Sequence, residues 1–125
     1  MAEELIPPEV RDFIQRHIDS IDQLEALLLL FNRPGDSWTS GSVAAQLYID
    51  RDQAAQVLQQ LCADGLAGRT GDTYWFNGDP PGQREMVERL ADIYAKHLIP
   101  VTNFVHAKPS SARAFAAAFK LRKDR

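Results

Sequence analysis

Cysteine occurs once in these 125 residues, at Cys62, which excludes an internal disulfide framework and suits a reducing compartment. Long hydrophobic runs are missing as well. The longest, Ala26 to Phe31 and Ala114 to Phe119, fall far short of the ~20 apolar residues a membrane-spanning helix needs. The opening MAEELIPPEV is acidic and lacks the charged-then-apolar layout of a secretory leader. A cytoplasmic protein with no membrane partner is therefore expected. Motifs that carry chemistry are equally scarce. No G-x-S-x-G occurs, and the glycine-containing runs GRTGD and NGDPPG lack the order a phosphate loop requires. His97 and His106 stand nine apart with Pro100 between them, not at the spacing that puts two metal ligands on one helix face. His17 lies beside an apolar stripe, and Cys62 falls on an inward helical face, so both read as structural. No enzymatic activity, cofactor or metal is expected.

Positive charge is scarce in the first two-thirds of the chain and concentrated after it. Residues 1–81 carry five arginines against thirteen carboxylates, a balance of −8, and residues 82–125 carry nine Lys and Arg against four, a balance of +5. Such asymmetry points to a charged partner, or to one half docking on the other. The apolar fraction of 45% and charged fraction of 25% are those of a globular domain, and the length suffices to bury a core.

The periodicity is mainly helical. After Pro7-Pro8, Val10, Phe13, Ile14, Ile18 and Ile21 recur at helical steps. Ser20 and Gln23 fit a capping box opening a helix over about Ile21–Asn32, apolar around most of its girth and so central to the core. Pro34-Gly35 stops it. A short helix fits Ser42–Tyr48, capped near Thr39 or Ser40. Asp50 and Gln53 repeat the capping-box spacing and start a helix over about Arg51–Asp64, ended by Gly65-Leu66. Two short strands flank Gly71-Asp72, a pair suited to a tight hairpin turn. A long helix is predicted from Gln83 to about Ile99, ended or kinked by Pro100. A last helix is predicted from Ala112 to about Lys123.

The order helix, helix, short helix, helix, hairpin, long helix resembles a winged helix-turn-helix. The segment LEALLLLFNRPGDSWTSGSVAAQLYIDRDQAAQVLQQLCADGLAGRTGDTYWFN, residues 24–77, is similar to bacterial regulators of the MarR, ArsR and PadR type. Their pattern A-x-x-L, turn, V-x-x-x-L-x-x-L-x-x-x-G-L is filled here by VAAQL and then by Ala54, Leu58, Leu61, Gly65 and Leu66, with alanine in place of valine. The resemblance implies a mainly α winged helix-turn-helix with a short β-hairpin wing and two C-terminal helices. Residues 1–82 would form the domain and residues 83–125 a helical extension for dimerisation or docking.

Two functions follow from the resemblance and the charge. The first is a homodimeric, DNA-binding transcriptional regulator of double-stranded DNA, with Arg51, Gln53, Gln56 and Gln60 in the major groove and Arg69 on the wing. Glutamine can bond an adenine edge in two places; the same residues also suit a solvated helix face. Val87, Leu90, Tyr94, Leu98 and Phe104 would form the dimer interface. The second function is a protein-interaction module that binds no DNA. Residues 39–77 hold two arginines against four aspartates, the wrong sign for a phosphate backbone. Positive charge gathers instead at the end, with Lys120, Arg122, Lys123 and Arg125 as a basic patch for an acidic protein partner. That tail can equally grip DNA, dock on the acidic half of its own or a partner subunit, or pack Phe115 and Phe119 on the core while its tip frays into solvent.

Overall fold

The computed structural model describes residues 5–33 and 35–107. The helix expected from Ala112 and the basic patch at Lys120, Arg122, Lys123 and Arg125 lie outside the described residues. Within them the chain is mainly α with one two-stranded antiparallel sheet: α1 (Pro8–His17), α2 (Ile21–Asn32), α3 (Ser40–Leu47), α4 (Arg51–Ala63), β1 (Ala67–Thr70), β2 (Thr73–Phe76), α5 (Gln83–Lys96) and α6 (Leu98–Ala107).

Local chemistry explains most of these boundaries. Pro8 opens α1, where a missing N–H costs nothing. Ser20 caps α2, its Oγ accepting from Gln23 N–H at 3.1 Å. The Gln23 side chain then reaches one residue further back than a capping box requires. Its Oε1 accepts from Asp19 N–H and its Nε2 donates to the His17 carbonyl, both at 2.8 Å. Gln23 is the buried polar residue of the core among the described residues, and it ties the end of α1 to the start of α2. At α3 a full box forms between Thr39 and Ser42. The box expected at Asp50 and Gln53 does not form. Asp50 makes no side-chain cap bond, and the Gln53 amide, the other half of the box, donates to the Asp22 carboxylate on α2.

Gly65 ends α4 at φ +79°, a conformation closed to most side chains. Leu66 N–H then bonds the Leu61 carbonyl and Gly65 N–H the Cys62 carbonyl, the paired bonds of a Schellman motif. β1 and β2 pair from Ala67–Phe76 to Thr70–Thr73 around Gly71-Asp72. Trp38 adds an isolated antiparallel bridge to Tyr74 on the other edge. The two tryptophans differ in role. Trp38 is buried and donates to the Arg33 carbonyl, whereas Trp75 is half exposed and its indole covers Gly68, leaving no room there for a Cβ.

The long helix expected to Ile99 is broken earlier than predicted. α5 ends at Lys96, His97 leaves the helical region, and α6 restarts at Leu98 with Pro100 in its first turn. A proline ring strikes the carbonyl four residues before it, here that of Lys96, so the break falls upstream of the proline.

α2 touches α3, α4, β2, α5 and α6, and the apolar cluster built around it runs from Ile6 to Val105. Val87 and Leu90, expected at a dimer interface, are fully enclosed in this cluster. α5 lays its stripe on α1 and α2 of its own chain, so neither side chain has surface left for a second copy. Leu98 is half exposed, and Ile99 beside it is 64% exposed. Phe104 is partly buried.

Tyr94, also expected at an interface, donates to Glu25 Oε2 at 3.0 Å and so pins α5 to α2. Burial first, then the Glu25 carboxylate, push its phenol up to about 12. The fold thus favours the neutral phenol. Its contribution is whole below the ordinary tyrosine pKa of about 10 and is lost as pH rises through about 12. Urea midpoints on either side of about pH 10 should fall more steeply in the wild type than in Tyr94→Phe. Equal slopes would mean Tyr94 takes no part in alkaline unfolding.

Candidate functional site

The surface with the most chemistry lies where α3, α4 and the hairpin meet. A cleft of about 250 Å³ is lined by Thr39, Ser40, Arg51, Arg69, Asp72 and Tyr74. Arg51, the first residue of α4, lays its guanidinium against Gly41 in the first turn of α3. Arg69, on β1, donates from Nε to the Gly71 carbonyl at 2.7 Å. Its guanidinium lies 5.5 Å from the centre of the Tyr74 ring. Two of the expected site residues therefore converge from elements eighteen positions apart.

These two arginines differ from others in the fold. Arg16, Arg33 and Arg89 each lie within 4 Å of a carboxylate, on Asp12, Asp36 and Glu9. Arg51 and Arg69 form no ion pair among the described residues, although Asp72 lines the same cleft. The α3 N-terminus adds to their field. The Thr39–Ser42 box satisfies the N–H groups of both box residues, while those of Ser40 and Gly41 find no acceptor among the described residues. Two guanidiniums without an ion pair among the described residues, hydroxyls and a helix N-terminus are groups suited to an oxyanion, set against the Asp72 carboxylate in the same lining.

Beside the cleft runs the outward face of α4. Asp52, Gln53, Gln56, Gln59, Gln60 and Ala63 are exposed. Gln53, expected to face a groove, is turned aside to Asp22. Gln60 leans on Asp64 at 3.4 Å, a weak bond at the helix end. Gln56 and Gln59 carry amides without a partner among the described residues. Gln59 was not among the expected contacts, although it is exposed on α4 as Gln56 is.

Tyr48 is the residue that sequence reasoning placed wrongly. It was expected inside the short helix, yet it caps α3 at φ 58°, the sole non-glycine among the described residues with positive φ, and its side chain is 94% exposed. Glycine or asparagine at that place would have signalled the turn; tyrosine does not. The strain is not repaid by packing. Tyr48→Gly should therefore raise stability by about 1 kcal/mol, read from a urea midpoint. A fall in stability would mean the ring packs on the fold.

Elsewhere, a second cleft of about 290 Å³ lies between α1 and the start of α5, lined by residues including Phe13, His17, Gln83 and Met86. Glu9 pairs there with Arg89 and Arg16 with Asp12, whereas buried His17 Nδ1 has no hydrogen-bond partner among the described residues and lies 3.9 Å from the Asp64 carboxylate. Cys62 is partly buried, and burial pushes its thiol up, away from thiolate chemistry. Among the described residues no helix is long and apolar enough to cross a membrane.

No family model, curated protein or solved structure matches the chain.

Proposed function

We propose that the protein is a winged helix-turn-helix regulator that binds double-stranded DNA. In this reading α3 and α4, joined by the short turn at Tyr48–Asp50, form the helix-turn-helix. The β1–β2 hairpin, with its bridge to Trp38, is the wing. The observation that carries the reading is the convergence of Arg51 and Arg69, neither in an ion pair among the described residues, on one cleft at the edge of α4. A backbone phosphate seated there would set α4 against the major groove, since phosphate contacts fix register and base contacts specify. A homodimer would place two such units on one duplex. Leu98 and Ile99, both exposed at the α5–α6 junction, offer apolar side chains for that contact.

The test is binding of random-sequence duplex DNA over a salt series, by the full chain and by a version ending at Lys108. The reading expects both to bind and both to weaken steeply as salt rises. Binding by the full chain alone would move the contact to the basic tail.

A second reading is favoured by the charge. Asp52 and Asp72 are exposed on the two elements that would face phosphate, and residues 39–77 balance to −2. If neither version binds DNA, the fold serves as a protein-interaction module whose basic C-terminal segment engages an acidic partner. Removal of residues 120–125 would then abolish capture of that partner.

A further inference from the structure

Resting on that duplex-binding reading, we propose that α4 selects adenine at two neighbouring base pairs, with Gln56 and Gln59 as the side chains that read them. The argument begins with what α4 lacks. Exposed positions of α1 and α5 carry charges in helical ion pairs, Arg16–Asp12 and Lys96–Asp92. Beyond Asp52, the exposed face of α4 carries no charge at all: Gln53, Gln56, Gln59, Gln60 and Ala63. Such a surface loses its water more cheaply than a charged one and does not repel phosphate.

The four amides are not equivalent. Gln53 is held by Asp22, and Gln60 leans on Asp64. Gln56 and Gln59 have no partner among the described residues and lie three residues apart on one face. At that spacing their Cβ atoms lie about 5–6 Å apart. Their rise along the helix is about 4.5 Å, close to the ~3.4 Å step between base pairs. Each amide can accept from adenine N6 through its oxygen and donate to N7 through its nitrogen, a two-bond match that guanine, cytosine and thymine do not offer. Guanine calls for an arginine or lysine on this face, and Arg51 is instead folded against Gly41.

The experiment is selection of bound duplexes from a randomised pool by the full chain, repeated with single variants. The wild type should enrich adenine at two neighbouring positions by about 5- to 150-fold over other bases at each. Gln56→Ala and Gln59→Ala should each erase the preference at one position. Gln56→Arg should move the preferred base there from adenine to guanine. Gln53→Ala should leave the selected sequence as it was. Duplex binding without an enriched base, or an adenine preference that survives both alanine variants, overturns this inference and leaves the DNA-binding reading standing. Failure to retain any duplex at low salt overturns both.

Discussion

Leu90→Ala will lower the unfolding free energy by about 2–5 kcal/mol, and by the same amount at every protein concentration. Leu90 is fully enclosed, and α5 packs on α1 and α2 of its own chain. Truncation removes buried methyl groups and leaves a cavity that neighbouring helices close only in part, so the two costs add. Urea unfolding of wild type and variant at two well-separated protein concentrations is the measurement. An interface residue would behave differently, giving a midpoint that moves with concentration and a variant whose association, not fold, is weakened. That outcome would mean the α5 stripe is covered from outside the chain. Leu98→Ala is the matched control. Half exposed at the α5–α6 junction, it should change the stability of a monomer by no more than about 0.5 kcal/mol.

Replacing Arg51 and Arg69 together with alanine will remove most of the affinity for duplex DNA and leave the fold intact. Both side chains are exposed and form no ion pair among the described residues, so stability has little to lose. Each charge-assisted bond to a phosphate contributes about 1.5–3 kcal/mol. Loss of two phosphate contacts lowers the slope of log affinity against log salt by about 2 per subunit. Asp72→Lys, at the hairpin turn beside the same cleft, should act in the opposite direction, raising both affinity and slope. Fluorescence anisotropy of a labelled duplex across a salt series reads both quantities. A double variant with the wild-type slope would take the phosphate contact away from this cleft, and the protein-interaction reading would then gain.

Much of the local structure is legible residue by residue. Ser20 opens α2 and the Gly65–Leu66 pair closes α4, because the groups that satisfy a helix end lie within a few residues of it. The strand boundaries at Thr70 and Thr73 follow from a two-residue turn at Gly71-Asp72 in the same way. The centrality of α2 follows from an apolar surface wider than one stripe, which needs neighbours on several sides.

What the sequence by itself determined about this protein is therefore the kind and order of its elements as far as α5, many of their ends, and which face of each is apolar. The tertiary structure alone decided what meets those faces. Asp50 and Gln53 have capping-box spacing, yet Asp22, thirty-one residues away from Gln53, takes the amide. The α5 stripe shows in the sequence, but that α1 and α2 cover it does not. Tyr48 takes a left-handed turn that its residue type does not announce. Arg51 and Arg69 were visible one at a time; their meeting in one unpaired cleft was not. The physical reason is common to all four. Periodicity and capping act through bonds a turn or less in length, whereas cover, side-chain partners and local charge depend on distances that exist only once the chain has folded.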